Sequence, residues 1–462
     1  MNMLDETLSR ALHRWRWGPV ATELSGTGEE TPVSAAELVE RIEGVAGELR
    51  KAGVREGVIV ALFLENSVDF LAILFALFRL QAVPVIGKSE FRSMELGEIF
   101  DNADPSVVIS EGQMLPVLGP FLSGRLVFER GDRGLSIVQA RSDALIESAL
   151  EGSVASINYT YRGFGYPLGA IISPEQYLHG ARVLQEGLQG EAGEPMLFAI
   201  PMTHIFTLVG CLLVPILYGM PMVVARTFHP RRTFDAIERL QVSHITAVPE
   251  LYRLLLRTRD PDRPLPTLKT FVSGGSYLSS EEYHTLCGAF DIEVLHGYGL
   301  TEFTPASRNS RGESRPGTVG PLCDGVECQI AGDSSGEILL RTDTMRGEYY
   351  RRPRETREAK QDGWFKTGDA GHFSEGHLVF DREIKRTCKV NGLLVDLVEV
   401  EQALAGMPGA RKVQASFANG SLTAQIETVT SQTDRELSGS VREFLRERLA
   451  AYKIPKNVTS KG

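Results

Sequence analysis

Apolar runs of strand length alternate with amphipathic helical patterns along most of the chain. Residues 34–52 repeat apolar positions at helical spacing, with Ser34 placed to cap the helix and Gly53 to end it. Strands that are apolar throughout and separated by helices predict parallel sheet covered on both faces. Further helices are predicted at 67–80 and 94–103, and apolar strands at 58–64, 82–86, 106–110, 196–201, 222–225, 244–248, 270–273 and 293–295.

The pattern of apolar and polar positions changes between residues 371 and 391, and a second, smaller unit follows. A strand at 377–381 runs into a charged joint, DREIKR, at residues 381–386. Beyond the joint, the pattern predicts a helix at 397–405, strands at 412–417 and 421–428 around the turn Asn419-Gly420, and a helix at 433–450. We therefore predict an α/β protein with a large multi-sheet N-terminal domain, residues 1–381, and a small, shortened α+β C-terminal domain, residues 382–462.

One segment is apolar enough to raise the question of a membrane span. Residues 207–225 carry no charge, but they include two prolines and two glycines and divide into a short helix, a turn at 218–221 and a strand. Proline also occurs in membrane helices, so a span stays the alternative. We interpret the segment as buried core and expect no membrane span. The first residues have no apolar stretch behind their charges, which argues against a signal peptide.

Charge and cysteine content narrow the class of protein. The 462 residues include 49 Lys and Arg against 59 Asp and Glu, a formal net charge of −10. Such a chain has no basic footprint for nucleic acid, and an anionic ligand must be held by local features. The five cysteines are scattered, without the CxxC pairs of a zinc site or the density of a disulfide scaffold. We expect reduced thiols and a cytoplasmic location.

The most informative segment is HGYGLTE at residues 296–302, which follows the predicted strand at 293–295. A glycine-rich turn of this kind suits a ligand with a flat ring, a phosphate and a metal. Tyr298 can stack on a ring, Thr301 can donate to an oxyanion, and Glu302 can hold Mg²⁺. The alternative is a tight turn in which the Thr-Glu pair acts as a cap.

Further segments accompany this turn in a fixed order. They are SGGS at 273–276 upstream, and WFKTGD at 364–369, Asp381-Arg382 and KVNG at 389–392 downstream. Together with the YGxTE turn, they resemble the motifs of the adenylate-forming superfamily, which includes acyl- and aryl-CoA synthetases, peptide-synthetase adenylation domains and luciferases. The resemblance extends from about residue 34 almost to the C-terminus. The YGxTE turn and the TGD element are highly specific in combination, and neither is specific alone.

The resemblance implies how a nucleotide base and its phosphate would be held. Gly274, Gly275 and Ser276 would line one face of adenine. Tyr298 would lie on the other face, and Thr301 would contact the AMP phosphate. Glycines at this place let the backbone approach a ligand closely.

Two carboxylates complete the nucleotide site that the resemblance implies. Glu302 would coordinate Mg²⁺. Asp369, assisted by Arg382, would accept hydrogen bonds from both ribose hydroxyls, which need an acceptor for two donors. The alternative for Asp369 is a turn aspartate after Gly368.

The acyl pocket would lie near His204, Gly274 and Gly297. His204 stands in PMTHIF at 201–206, which matches the family's Pro-x-x-His element at the mouth of that pocket. The alternative is a structural histidine among apolar neighbours. Peptide-synthetase domains carry an aspartate near this position to anchor an α-amino group, and this segment has none. The resemblance therefore implies a simple carboxylic acid rather than an amino acid as substrate.

One loop departs from the family pattern. In the family, a Ser/Thr/Gly-rich loop ending in Gly-x-Pro-Lys-Gly wraps the β- and γ-phosphates of ATP. Here the corresponding residues 160–169, which we call the phosphate loop, read TYRGFGYPLG. Gly165, Pro167 and Gly169 keep the frame, but most of the small hydroxyl residues are replaced by Tyr, Arg and Phe, and the lysine is replaced by Leu168. The resemblance makes Thr160, Gly163 and Gly165 the nucleotide-binding candidates of this loop. Arg162 restores one cation, so either the loop is rebuilt around Arg162, which we favour, or ATP binding is weakened.

Two further departures lie near the C-terminus. Lys385 is our choice for the hinge of the small domain, although the spacing from Arg382 to Lys389 is one residue longer than is usual in the family. The family's catalytic lysine follows a Tyr-Lys-x-Pro segment after a strand and a loop. Here the segment is present at 452–455, and Lys461 is the candidate on a short tail, the alternative being a solvated terminal lysine.

Two functions are consistent with these observations. The first is an enzyme that uses ATP and Mg²⁺ to convert a carboxylic acid into an acyl-adenylate and then transfers the acyl group to a thiol. The thiol would belong to CoA or to the phosphopantetheine of an acyl carrier protein. The second is a non-catalytic or weakly active protein that binds AMP or an acyl ligand on the same fold. The altered phosphate loop is the feature that separates them.

Overall fold

The computed structural model describes residues 3–131, 134–141, 143–148, 150, 153–198, 200–332, 335–418, 420–429 and 433–460. The strands within these ranges are β1 (Ala21–Leu24), β2 (Glu30–Val33), β3 (Ile59–Phe63), β4 (Val83–Ile86), β5 (Val107–Glu111), β6 (Leu126–Gly131), β7 (Gly134–Gln139), β8 (Ser156–Thr160), β9 (Leu168–Ile172), β10 (Met196–Phe198), β11 (Met222–Ala225), β12 (His244–Ala247), β13 (Thr270–Ser273), β14 (Glu293–Leu300), β15 (Phe303–Arg308), β16 (Glu327–Ala331), β17 (Gly336–Arg341), β18 (Lys360–Gln361), β19 (Trp364–Ser374), β20 (His377–Glu383), β21 (Thr387–Val390), β22 (Leu393–Asp396), β23 (Ala410–Ala418), β24 (Ser421–Thr428) and β25 (Asn457–Ser460).

The α-helices in the same ranges are α1 (Met3–His13), α2 (Ala35–Lys51), α3 (Val68–Arg79), α4 (Ser93–Ala103), α5 (Leu115–Leu118), α6 (Pro174–Leu188), α7 (Ile205–Thr207), α8 (Val214–Tyr218), α9 (Pro230–Arg239), α10 (Pro249–Thr258), α11 (Ser280–Phe290), α12 (Pro353–Glu358), α13 (Leu397–Ala405) and α14 (Asp434–Leu445). The helix predicted at 34–52 is α2, and Ser34 caps it as expected, accepting a hydrogen bond from the Glu37 amide.

Two large, mostly parallel sheets form the body of the molecule. The seven-stranded first sheet has the order β7-β6-β5-β3-β4-β8-β9, and the eight-stranded second sheet has the order β15-β14-β13-β12-β10-β11-β1-β2. The inner strands pair in parallel, and the strand at each end of both sheets pairs antiparallel. Every residue of β3 and β5 is buried, which explains why β3 is apolar throughout and β5 begins with three consecutive apolar residues.

Helix α3 is apolar around its whole circumference, and ten of its twelve residues are buried. Its side chains belong to one hydrophobic cluster with residues of the first sheet, such as Leu62, and of the second sheet, such as Phe198 and Val224. A helix without a polar face is expected where it is covered on all sides. The two sheets therefore share a core through α3.

The uncharged segment at 207–225 is part of this core, as the sequence indicated. It continues from α7 through a π-helical stretch, Leu208–Leu213, into α8, which ends at Gly219 with φ +79°. The strand β11 follows, and all four of its residues are buried. In the ranges that the structure describes, no helix has both the length and the apolar character needed to cross a membrane.

A third sheet of five strands carries the TGD element. Its order is β16-β17-β19-β18, with β20 paired to β19. The strand β20 extends to Glu383, so it spans the predicted domain boundary between residues 381 and 382. That boundary stays a prediction.

The remaining elements form the small C-terminal domain. The hairpin β21–β22, the sheet β23-β24-β25 and helices α13 and α14 enclose a separate hydrophobic cluster. The helix predicted at 397–405 matches α13, and the one predicted at 433–450 ends earlier, at Leu445. Asn419 of the predicted turn lies outside the described residues. The prediction of a large multi-sheet α/β domain followed by a small α+β domain is confirmed.

Candidate active site

A cavity of about 620 Å³ opens where the second sheet, the third sheet and the small domain meet. Strand β8 of the first sheet and strands β13 and β14 of the second sheet end at its wall. The residues predicted for the site that line it are Thr160, Arg162, His204, Gly274, Gly275, Ser276, Gly297, Tyr298, Thr301, Glu302, Asp369, Arg382 and Lys385. Gly163 and Gly165 are not among the lining residues, and Lys461 lies outside the described residues.

The SGGS segment leaves β13 and turns sharply into the cavity wall. Gly275 has φ +79°, a backbone conformation that favours glycine. A Cβ atom on Gly274 would lie 3.4 Å from the ring of Phe206, so this glycine packs closely against the neighbouring wall. The Ser276 hydroxyl donates to Glu250 Oε1 at 2.7 Å. These contacts hold the backbone of the segment at the cavity surface.

Asp369 lies opposite this segment, almost fully buried at 3% exposure. Its Oδ2 accepts a hydrogen bond from the Tyr298 hydroxyl at 2.8 Å. Its Oδ1 lies 3.2 Å from Lys385 Nζ, close enough for an ion pair, although the two groups lack hydrogen-bond geometry. Within the described part of the chain, Lys385 rather than Arg382 forms the ion pair with Asp369. Asp369 Oδ1 is thus a buried acceptor that faces the cavity without a hydrogen-bond donor.

Lys385, the predicted hinge residue, also contacts the TGD element through Asp369. Its ammonium also donates to the Thr367 carbonyl at 3.3 Å, and its side chain covers Gly368, whose φ is +73°. The joint is therefore folded against the TGD element in this arrangement. The assignment of Lys385 as the hinge stays a prediction.

Glu302 is buried behind the turn and is held by two neighbours. The Tyr349 hydroxyl donates to its Oε1, and the Arg162 guanidinium lies 3.6 Å from the same oxygen. Gln176 fixes the turn by donating to the Glu302 carbonyl at 2.8 Å. The backbone that presents Thr301 and Glu302 is therefore anchored from α6.

Arg162 points away from the loop surface and into this buried carboxylate. It donates to the Lys366 carbonyl at 2.6 Å, and its guanidinium lies 5.0 Å from the centre of the Phe365 ring. Although burial opposes it, the interactions with Tyr349 and Glu302 raise the pKa of Arg162 further. The arginine is a permanent cation that balances Glu302 in this arrangement.

The donor set around Glu302 fits a metal that arrives with a nucleotide. In the ranges described, no group of three or more His, Cys, Asp or Glu side chains is placed to hold a metal ion. Mg²⁺ is commonly bound by one or two carboxylates together with substrate phosphates and water. Glu302 can supply one such carboxylate, provided that Arg162 shares it.

Two neutral histidines and, besides Lys385, two further lysines line the same cavity. Burial lowers the pKa of His204 to about 3 and that of His296 to about 4. Burial also lowers the pKa of Lys88 to about 8 and lowers the pKa of Lys389. Lys88 and Lys389 lower the pKa of His204 further, and Lys389 also lowers that of His296.

An apolar pocket continues from the nucleotide end. Leu184 and Leu188 of α6, Phe206 and Leu295 contribute to its wall. Gly297 also lines the cavity here, and a Cβ atom on it would approach the Ser307 carbonyl to 3.0 Å. These side chains suit an apolar group, and Arg308, which lies beside Gly297, adds one cation to the lining.

The small domain covers the phosphate loop. The amides of Gly163 and Gly165 donate to Asp396 Oδ2 at 2.8 Å and 3.3 Å. The Tyr161 hydroxyl donates to Glu399 Oε1 at 3.0 Å and accepts from Lys453 Nζ at 2.7 Å. These contacts explain why the two glycines do not reach the cavity.

Sequence reasoning did not single out several of these residues. Asp396, Glu399 and Lys453 of the small domain, together with Tyr349 and Lys88, received no role. The sequence contains a signal for Asp396, because an aspartate directly before a predicted helix is a preferred N-cap. In the structure, the Asp396 side chain accepts hydrogen bonds from the amides of Val398 and Glu399. No comparable signal marked its contact with a loop more than 200 residues earlier.

Comparison with known proteins agrees with the cavity's motifs. The family model described as AMP-binding enzyme matches residues 13–350, more than half of the chain. The long-chain-fatty-acid–CoA ligase FadD13 of Mycobacterium tuberculosis is 26% identical over 435 residues, covering 89% of this chain and 86% of that protein. The 2-succinylbenzoate–CoA ligase of Geobacillus kaustophilus is 26% identical over 437 residues, covering 92% of this chain and 88% of that protein.

The fold is also found among solved structures. A double mutant of o-succinylbenzoate CoA synthetase from Bacillus subtilis, solved with its product analogue OSB-NCoA, has a TM-score of 0.82 at 20% identity. The match covers 98% of this chain and 94% of that one, so it includes both the large domain and the small one. The chain belongs to the family of AMP-binding enzymes.

Proposed function

We propose that this chain is an ATP-dependent acid–thiol ligase, which activates a carboxylic acid as an acyl-adenylate and passes the acyl group to CoA. One observation carries the proposal. A single cavity joins the SGGS segment, the turn at 296–302 and Asp369 to an apolar pocket. The first part suits a base, a ribose and a phosphate, and the second suits an acyl group.

The first half-reaction requires the negative charge at the α-phosphate to be neutralised. A carboxylate oxygen of the acid bonds to the α-phosphorus of ATP, and the bond to the bridging oxygen breaks as pyrophosphate leaves. No general base is required, because a carboxylic acid is already ionised near pH 7. Thr301 would donate to the phosphate, and Asp369 Oδ1, which accepts no hydrogen bond and lies beside Lys385, would accept one from a ribose hydroxyl. Mg²⁺ bound by Glu302 and the phosphates would neutralise the charge that develops.

The second half-reaction transfers the acyl group. The thiol sulfur bonds to the acyl carbon, the bond from that carbon to the AMP oxygen breaks, and the thiol proton passes to water. His204 lines the cavity in its neutral form near pH 7, because burial lowers its pKa to about 3. The acyl carbon therefore meets an uncharged ring on this side rather than an imidazolium.

The pocket and the relatives narrow the substrates. Leu184, Leu188 and Phe206 favour an acid with an apolar acyl group. Both curated relatives named above are CoA ligases, which supports CoA over a carrier-protein phosphopantetheine as the acceptor. Competition between the two thiols would distinguish them.

The second candidate is a protein that binds AMP or an acyl ligand without turnover. It is favoured by the contact of Gly163 and Gly165 with Asp396, which leaves these loop amides unavailable to phosphate in this arrangement. The intact residues of the nucleotide end do not distinguish the two candidates.

Product detection by mass spectrometry tests the proposal. The purified chain is incubated with ATP, Mg²⁺, CoA and a panel of aliphatic and aromatic acids. We expect an acyl-CoA and an equal amount of AMP with at least one apolar acid. Retention of AMP without any thioester, across the panel and with a carrier protein as well, would favour the second candidate.

A further inference from the structure

The phosphate loop holds an anion that belongs to the chain itself. Asp396 is fully buried, at 0% exposure, and both of its carboxylate oxygens are in use. Oδ1 accepts from the Val398 amide at 2.9 Å and so caps α13. Oδ2 accepts from the amides of Gly163 and Gly165. Backbone amides that converge on one carboxylate oxygen form the kind of concavity that binds phosphate oxygens elsewhere.

A buried charge cluster, which we call the latch, fixes the same two surfaces beside this contact. Lys453 Nζ lies 2.5 Å from Glu399 Oε2 within the small domain and 3.0 Å from Glu95 Oε1 of the large domain. Tyr161 of the loop completes the latch. Lys453 and Glu95 are both at 0% exposure, so separation of the domains must hydrate or re-pair these charges.

The small domain also packs closely against the two loop glycines. Gly163 and Gly165 have φ near +85°, and a Cβ on Gly163 would lie 3.0 Å from the Arg386 amide nitrogen. A Cβ on Gly165 would meet the Gln402 side chain at 2.5 Å. The close approach at these two positions is thus made by protein rather than by a ligand. Tyr161, where the family has a small residue, contributes its hydroxyl to the latch.

We infer that Asp396 is an internal competitor of the ATP β- and γ-phosphates: its carboxylate and the nucleotide's phosphates are alternative ligands of the Gly163 and Gly165 amides. The inference rests on the proposed function, because it takes the loop to be the phosphate site of that reaction. ATP binds productively only when the small domain has left the loop. The apparent affinity for ATP is then reduced by the fraction of molecules that are undocked. AMP lacks the two outer phosphates and is not subject to this competition.

Asp396→Ser separates the competition from the helix cap. Serine is a good N-cap, so α13 keeps its first hydrogen bonds, but its shorter side chain has no second oxygen to reach the loop. We expect ATP to bind about tenfold to a hundredfold more tightly in calorimetric titrations, the equivalent of one lost charge-assisted contact. AMP affinity stays unchanged. Inorganic pyrophosphate should follow ATP, because it carries the same pair of phosphates.

Two further variants keep the test decisive. Tyr161→Phe removes one latch hydroxyl while leaving Asp396 in place, so it should shift ATP affinity in the same direction by a smaller factor. Thr433→Ala is the control, because Thr433 also caps a helix of the small domain, accepting from the Glu436 amide at the start of α14, and makes no hydrogen bond to the loop in the part of the chain that the structure describes. It should lower stability without changing the affinity for ATP.

A cross-link reports the docking itself, whether or not the enzyme turns over. Ser93 of the large domain and Glu447 of the small domain are joined by hydrogen bonds, from the Ser93 amide and hydroxyl to the Glu447 carbonyl. Cysteines at both positions should couple efficiently in the free protein. Pyrophosphate and Asp396→Ser should each reduce the yield.

The outcomes distinguish the inference from the proposed function. Failure of the wild type to form any thioester would overturn the function, while the cross-link and pyrophosphate titration would still test the competition. Equal ATP and pyrophosphate affinities in the wild type and Asp396→Ser, or an equal gain for AMP, would overturn the inference. A cross-link yield that neither pyrophosphate nor the substitution changes would also overturn it.

Discussion

The turn at 296–302, which begins within β14, and the phosphate loop at 160–169, which follows β8, lie near the same cavity, yet they use their polar groups differently. The turn presents Tyr298, Thr301 and Glu302 at the cavity wall, supported from behind by side chains such as Gln176. The loop gives its glycine amides to Asp396 of the small domain. The loop contacts the small domain through the amides of Gly163 and Gly165 and through the Tyr161 hydroxyl, whereas Leu168, at the position of the family's lysine, packs in the core. The difference indicates that the loop's altered sequence serves the contact with the small domain of the same chain as well as a ligand.

The largest effect that would sharpen this comparison is expected at Glu302. Glu302→Gln keeps the shape of the side chain but removes the charge that Arg162 balances and that Mg²⁺ needs. We expect acyl-adenylate formation to fall by about a hundredfold to a thousandfold, the range for loss of one group that stabilises transition-state charge. AMP binding should change much less. Steady-state adenylation rates and calorimetry would measure the two effects.

Glu355→Gln is the matched control for Glu302. Glu355 is also a buried carboxylate that accepts a tyrosine hydroxyl, from Tyr166, but it does not line the cavity. Its substitution should leave the adenylation rate unchanged. Wild-type rates in Glu302→Gln would show that Glu302 only supports the turn.

A second effect is expected at Asp369. Asp369→Ala removes the buried acceptor proposed for the ribose, so ATP and AMP should both bind about a hundredfold more weakly. Asp381→Ala is the control, since that carboxylate lies on the neighbouring strand and pairs with His372 outside the cavity. Titration calorimetry with both nucleotides would measure the loss. Unchanged affinities in a folded Asp369 variant would contradict the ribose assignment.

Arg162 lies between the two regions and should show a smaller effect. Arg162→Ala should depress adenylation by about tenfold to a hundredfold, because a charge-assisted contact near the outer phosphates is lost, while AMP binding barely changes. Arg352→Ala is the control, since Arg352 stacks on Tyr166 of the same loop outside the cavity. Equal losses for ATP and AMP would place Arg162 at the α-phosphate instead.

The smallest effect is on stability. His204 and His296 have folded-state pKa values of about 3 and about 4, below the ordinary value for histidine, because of burial. The unfolded chain then binds more protons, so the stability contributed by each neutral ring is present above about pH 6.5 and is lost as pH falls toward the folded pKa. The urea midpoint should be lower at pH 5 than at pH 7, and His296→Asn should reduce the difference. An equal midpoint at both pH values would contradict the assignment.

Local patterns predicted the fold well where burial is uniform. The apolar run at 58–64 became β3 because a parallel inner strand is covered on both faces, and Ser34 capped α2 as its spacing indicated. The strand predicted at 293–295 is longer, extending to Leu300, because the turn's own residues pair with β15. That pairing depends on a partner strand and leaves no periodic signal within the turn.

The site was predictable only where residues act through short motifs. SGGS, YGxTE and TGD each keep their chemistry within a few residues, and the structure brings them to one cavity. The contacts of Asp396 and Lys453 join residues that lie hundreds of positions apart, and the local motifs around both residues do not indicate these partners. Such pairings depend on how the two domains are placed, which composition and periodicity do not encode.

The measurement that tests the central claim most directly is exchange of labelled pyrophosphate into ATP in the absence of any thiol. It isolates adenylation from the transfer step and therefore asks whether the cavity performs the chemistry that its residues suit. The account predicts label in ATP that depends on Mg²⁺ and on an apolar carboxylic acid, and that is lost in Glu302→Gln. Absence of exchange with every acid tested, in a chain that still binds AMP, would contradict it.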